Sequence, residues 1–108
     1  MTTRAQVHEI DILEWSSRLA FHLDGKTWND LDREITLQDA VVRCIVVVGE
    51  AAGQPIKVSP DHPSKNDLRK AYLTCNALTH GYEGVRHDIV WQTATGHVPE
   101  FAERLHKR

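Results

Sequence analysis

Residues 37–52, Leu-Gln-Asp-Ala-Val-Val-Arg-Cys-Ile-Val-Val-Val-Gly-Glu-Ala-Ala, decide the fold class of this chain. The run 45–48 would by itself also suit a buried strand, because periodicity cannot separate the two in a short apolar window. The full pattern continues without a turn signal and is too long for a typical strand. It therefore predicts a central, largely buried helix, capped by Thr36 and Asp39. The apolar face of this helix recurs at alternating steps of four and three: Leu37, Val41, Cys44, Val48 and Ala51.

A second helical pattern precedes the central one. Thr3 and Gln6 stand three residues apart, which is the spacing of a capping box. The apolar residues that follow predict a first helix over residues 4–23. A short polar stretch with Trp28 and Leu31 as its apolar anchors leads from this helix to the central one. The apolar face of the first helix recurs at steps of three and four: Ile12, Trp15, Leu19 and Leu23.

Beyond the central helix, one glycine and three prolines predict a loop over residues 53–63, because proline removes a backbone donor and restricts the residue before it. Ser64 and Asp67 then form a candidate cap for a third helix that ends near His80. The residues that predict the loop are Gly53, Pro55, Pro60 and Pro63.

A last helical pattern begins around residues 86–88, and Gly96 and Pro99 predict a kink in it. Four main helices joined mostly by short loops predict an all-α bundle of four to five helices, in one domain over residues 1–108. A domain of this size buries only about two thirds of its unfolded surface, so dimerisation would add useful stability.

Charge and composition limit the possible partners. The formal net charge is −2, so any contact with RNA must be local and DNA binding is not expected. Cys44 and Cys75 form no CxxC pair, no signal-peptide pattern is visible, and the longest apolar run is too short to span a membrane. We expect a cytoplasmic protein.

The densest group of polar residues is the segment 75–82, Cys-Asn-Ala-Leu-Thr-His-Gly-Tyr, at the end of the third helix. Asn76 and His80 are four residues apart, so a hydrogen bond between them would orient the imidazole. Gly81 would turn the chain and leave Tyr82 near a surface groove. The structural alternative is that His80 caps the helix and Tyr82 packs beneath it.

Other candidate groups predict little chemistry. Arg43 and Glu50 share a face of the central helix, which favours a buried structural ion pair over a role in a site. The remaining histidines show neither HxxxH nor HExxH spacing, and no glycine-rich phosphate loop is present, so neither a metal nor another cofactor is expected. The three tryptophans, Trp15, Trp28 and Trp91, are better explained by the core or a dimer interface than by base stacking.

Two stretches resemble the HepT-like domains of the HEPN superfamily. The first is Asp39-Ala-Val-Val-Arg-Cys-Ile-Val-Val-Val-Gly-Glu-Ala-Ala52, with Cys44 where the family usually has Asn. The second runs from Asn76-Ala-Leu-Thr-His-Gly-Tyr82 through Gly84-Val85 and Asp88-Ile-Val-Trp91 to Val98-Pro-Glu-Phe101. The resemblance covers nearly the whole chain.

The resemblance implies a homodimer with a metal-independent RNA endonuclease centre at the dimer interface, built from an Arg, four intervening residues and a His. His80 matches the His and Asn76 the polar residue after the Arg, but Cys75 occupies the Arg position. A neutral thiol offers one weak donor where a guanidinium would meet two phosphate oxygens. A weak or inactive nuclease is therefore expected.

The resemblance also implies a partner, a nucleotidyltransferase antitoxin of the MNT kind, which in some members transfers AMP to the tyrosine two residues after the histidine. Tyr82 matches that acceptor. The alternative that remains is a non-catalytic module that engages the nucleotidyltransferase or a nucleotide.

Overall fold

The computed structural model describes residues 2–78 and 86–107 of the chain. Every regular element in these two ranges is helical, as predicted. The elements are α1 (Arg4–Leu23), α2 (Trp28–Arg33), α3 (Ile35–Val58), α4 (Lys65–Ala77), α5 (His87–Gln92), a π-helical turn (Thr93–His97) and α6 (Val98–His106).

The first helix confirms its prediction at both ends. The Thr3 hydroxyl accepts from the Gln6 N–H, and the Gln6 side chain accepts from the Thr3 N–H, so the capping box is complete. The stretch around Trp28 and Leu31 is itself the short helix α2, with a second capping box from Thr27. The sequence analysis did not predict α2, because a single fully buried residue, Leu31, cannot show the repeated apolar spacing of a helix.

The central helix is confirmed, but two predicted details are wrong. Its N-cap is Glu34 rather than Thr36, without a side-chain hydrogen bond. The helix also continues through residues 53–58, which were predicted as loop. It does so because Gly53 lies against the Tyr72 ring, where a Cβ would be 2.8 Å from Cδ2, and because Pro55 is fully buried. Tertiary packing therefore outweighs the hydrogen bond that Pro55 cannot make.

A short turn joins α3 to α4 and is attached to α1. His62 Nδ1 accepts from the Ser64 N–H at 3.0 Å, and His62 Nε2 lies 2.6 Å from Glu9 Oε1. Ser64 is the N-cap of α4 as predicted, but it makes no side-chain capping bond. The predicted end of this helix near His80 lies outside the described residues.

The last helical segment is continuous from α5 to α6 but irregular in its middle. Where the kink was predicted, at Gly96 and Pro99, the structure has the π-helical turn, in which Gly96 lies, directly before α6. A wider turn gives the Pro99 ring space that a regular α-turn would deny it. The residues predicted to face inward are all buried: Val90, Ala94, Val98, Phe101 and Leu105.

The core lies around α3, which packs most extensively on α1 and α4. None of the helices in the described ranges combines the length and apolar character needed to cross a membrane.

Candidate functional site

The predicted catalytic segment is described only in part. Cys75 and Asn76 lie in the last turn of α4, and Asn76 is half-buried. His80 and Tyr82 lie outside the described residues, so the pairing of Asn76 with His80 stays a prediction.

Cys75 lies inside the contact between α4 and α3. Its side chain is 1% exposed, and it packs on Gly49 of the central helix. A Cβ placed on Gly49 would be 2.5 Å from Cys75 Cβ, far closer than two carbon atoms can approach. Gly49 therefore allows α3 and α4 to come together at this point.

Burial raises the pKa of the Cys75 thiol to about 12. The thiol is therefore protonated and uncharged at neutral pH, because desolvation disfavours the thiolate. It can supply neither the positive charge of an arginine nor a reactive nucleophile. The described part of the site is closed and electrically neutral.

The two close contacts also give the direction of α4. Gly49 meets Cys75 and Gly53 meets Tyr72, so α3 and α4 run antiparallel. The C-terminal end of α4 therefore lies toward the N-terminal half of α3.

The buried ion pair predicted between Arg43 and Glu50 is wrong. Both side chains are exposed, on a polar stripe of α3 that faces away from the core. The guanidinium carbon of Arg43 instead lies 5.8 Å from the centre of the Trp15 ring on α1, and that of Arg18 lies 4.4 Å from the same centre. Such cation–π contacts contribute roughly 0.5–1 kcal/mol at exposed sites.

A cleft of about 420 Å³ opens between α2, α3 and α5 beside Arg43. At its α5 wall, His87 Nδ1 lies 3.1 Å from Asp32 Oδ1. Because a carboxylate only accepts, Nδ1 carries the proton in this contact, and the Nε2 atom of a neutral ring would be an acceptor. The lining is mixed: Leu31, Gln38, Asp39, Val42, Arg43, Val46, His87 and Val90.

Sequence reasoning missed both arrangements, for different reasons. The three-residue step from Trp15 to Arg18 was a visible signal, because residues at i and i+3 are neighbours on a helix. No local signal joins Asp32 to His87, since their contact depends on how α5 packs beside α2. Among the described residues, no group of three or more His, Cys, Asp or Glu side chains could hold a metal ion.

The comparisons with known proteins define the chain as a ribonuclease-type helical domain. The family model described as "Ribonuclease HepT-like" matches residues 12–108, and the chain belongs to that family. The resemblance inferred from residues 39–52 and 76–101 is thereby confirmed.

Two curated relatives are similar over most of their length. "Putative RNase MJ1216" of Methanocaldococcus jannaschii is 29% identical over 98 residues, which cover 90% of this chain and 80% of the relative. "Putative RNase TTE0752" of Caldanaerobacter subterraneus subsp. tengcongensis is 27% identical over 94 residues, which cover 87% and 84%. No solved structure gave a significant match.

Proposed function

We propose that this protein is the toxin component of a HepT/MNT-type pair, a homodimeric RNA endonuclease that needs no metal. The observation that carries the proposal is the HepT-like ribonuclease match over residues 12–108, which spans both Asn76 and His80. His80 acts as the general base and removes the proton of a ribose 2′-hydroxyl. The freed oxygen attacks the adjacent phosphorus, the bond from phosphorus to the 5′-oxygen breaks, and the products are a 2′,3′-cyclic phosphate and a 5′-hydroxyl, whose proton comes from solvent. Asn76 orients the imidazole.

The transition state of this reaction places additional negative charge on the phosphate oxygens, which a nearby cation would stabilise. Cys75 supplies none, because its buried thiol is neutral. Loss of one such group typically costs on the order of a hundred- to a thousandfold in rate. We therefore expect weak cleavage by this chain.

RNA cleavage by four variants tests the proposal: the unaltered chain, His80→Ala, Cys75→Arg, and the double variant. Cys75→Arg should raise cleavage by on the order of a hundredfold, and His80→Ala should abolish that gain. Asn66→Arg, at an exposed position of the same helix far from Cys75, is the matched control and should gain nothing. If folded protein shows no His80-dependent cleavage in either background, the nuclease proposal is wrong.

Two further parts of the proposal concern partners. A second copy of the chain would complete the centre, and Leu73, an exposed apolar residue two positions from Cys75, supports a contact there. An MNT-type nucleotidyltransferase would transfer AMP from ATP to the Tyr82 hydroxyl and release pyrophosphate. The added phosphate charge would repel RNA. A mass increase that Tyr82→Phe removes would test this step.

The second candidate function is a non-catalytic module that engages the nucleotidyltransferase or a nucleotide. The neutral, closed contact at Cys75 favours it, because binding a partner needs no cation at that position. Co-purification with the genomically adjacent nucleotidyltransferase, together with absence of His80-dependent cleavage, would support this candidate over the first.

A further inference from the structure

Two arginines from different helices share one aromatic ring on the surface of the bundle. Arg18 of α1 and Arg43 of α3 both place their guanidinium groups over Trp15. Because both lie within 6 Å of the same ring centre, the two positive charges are neighbours. We call Trp15, Arg18 and Arg43 the arginine surface.

Within the described residues, the arginine surface forms one ion pair, and that pair is exposed. Arg18 pairs with Glu14 at 3.2 Å, but both side chains are about half exposed, and such a pair contributes at most about 1 kcal/mol. Asp39 lies one turn before Arg43 on α3, yet Arg43 makes no ion pair with any residue in ranges 2–78 and 86–107. By contrast, Arg86 and Arg104 pair with Asp88 and Asp67.

Arg43 also lines the cleft between α2, α3 and α5, so the arginine surface and the cleft are continuous. The cleft volume of about 420 Å³ falls within the range of small-ligand sites. Its apolar lining can cover the face of a planar group, and its polar lining offers both donors and acceptors. The apolar side chains are Leu31, Val42, Val46 and Val90.

These features match the parts of one single-stranded RNA segment. Guanidinium groups bind phosphate oxygens, and an unpaired base has an apolar face and polar edges. The Asp39 carboxylate can accept from an exocyclic amino group of a base. The Nε2 atom of His87, held outward by Asp32, can accept a second hydrogen bond. A free inorganic anion would use the arginines but not the apolar lining.

We propose that the arginine surface and the adjoining cleft form an RNA-binding surface made of residues other than Cys75, Asn76 and His80, which binds the strand backbone through Arg18 and Arg43 and admits one unpaired base. The inference rests on the proposed function, since it takes RNA as the ligand. It gives a chain of net charge −2 a local positively charged surface for contact with RNA.

Fluorescence anisotropy with a labelled single-stranded RNA oligonucleotide tests the proposal in a His80→Ala background, where cleavage does not interfere. Arg18→Gln with Arg43→Gln should weaken binding about tenfold or more and lower the slope of log affinity against log salt by about 0.7 for each lost phosphate contact. Arg4→Gln with Arg69→Gln removes the same charge from two other exposed positions and should change the slope little.

A second variant tests the contribution of the cleft to RNA binding separately from that of the two arginines. Val46→Phe narrows the cleft and should weaken binding severalfold while the salt slope stays unchanged. Thermal melting identifies variants that fail to fold. If the His80→Ala protein binds no RNA at micromolar concentration, the proposed function fails. If it binds RNA, and the Arg18/Arg43 variant behaves like the Arg4/Arg69 control, only the present inference fails.

Discussion

The central helix α3 carries two regions with opposite properties, six residues apart. At Gly49 it meets Cys75 in a contact that is dry, uncharged and too tight for a single added carbon. At Arg43 it borders an open cleft, with a guanidinium that lies over Trp15 and forms no ion pair in the part of the chain that the structure describes, and with a histidine held by a carboxylate. Position 75, which the resemblance would match to an arginine, is therefore part of the core, whereas the arginine of α3 lies at an open surface.

Among the substitutions that test this contrast, Cys75→Arg should lower the stability of the protein most. The arginine side chain must either leave the α3–α4 contact or bury its charge there. We therefore expect a loss of about 3 kcal/mol in the free energy of unfolding. Urea unfolding measures this loss. Asn66→Arg, at an exposed position of the same helix, is the control and should stay within about 0.5 kcal/mol of the parent. Equal stability of the two variants would show that position 75 can open to solvent.

Gly49→Ala should have the next largest effect. Its Cβ would lie 2.5 Å from Cys75 Cβ, so α3 and α4 must separate, at about 1–3 kcal/mol of stability. Gly96→Ala is the matched control, because no atom lies within 4 Å of an added Cβ there. That control should be neutral or slightly stabilising, since alanine favours helix over glycine. A Gly49→Ala midpoint in urea equal to that of Gly96→Ala would contradict the tight contact.

Asp32→Ala should have the smallest effect on stability, within about 0.5 kcal/mol, because the pair with His87 is partly exposed. It should nevertheless change the tautomer of His87. In the parent, Nδ1 carries the proton; in the variant, the ring should lose that preference. Long-range ¹H–¹⁵N spectra above pH 8 report the tautomer. An unchanged spectrum would mean that Asp32 does not orient the ring.

The parts of the fold that sequence could predict are those fixed by local chemistry. The capping box of Thr3 and Gln6 and the spacing in α1 gave the first helix at both ends. Gly53 and Pro55 were misinterpreted as loop because their roles depend on a neighbour: one accommodates the Tyr72 ring, and the other is buried in the core. Sequence rules that consider only neighbouring residues predict that glycine and proline end a helix, whereas packing against other helices keeps both residues within α3.

In the candidate site, too, sequence could predict what depends on neighbouring residues but not what depends on tertiary packing. The sequence placed Cys75 and Asn76 correctly at the end of α4, and the family match supports the segment that contains them. It also placed Arg43 and Glu50 on one face, but the apolar residues around them suggested burial where the face is exposed. The pairing of Asp32 with His87 joins residues 55 positions apart, so no pattern within one helix could have revealed it.

The π-helical turn at Thr93–His97 changes the orientation of everything after it. A turn that takes one residue more than an α-turn rotates the following side chains by about 100° relative to an uninterrupted helix. Phe101 and Leu105, which follow this turn, are nevertheless buried, as are Val90 before it and Ala94 within it. The C-terminal segment therefore contributes to the core on both sides of an irregular turn, and the neighbouring helices must accept the change of direction that the turn imposes on the side chains after it.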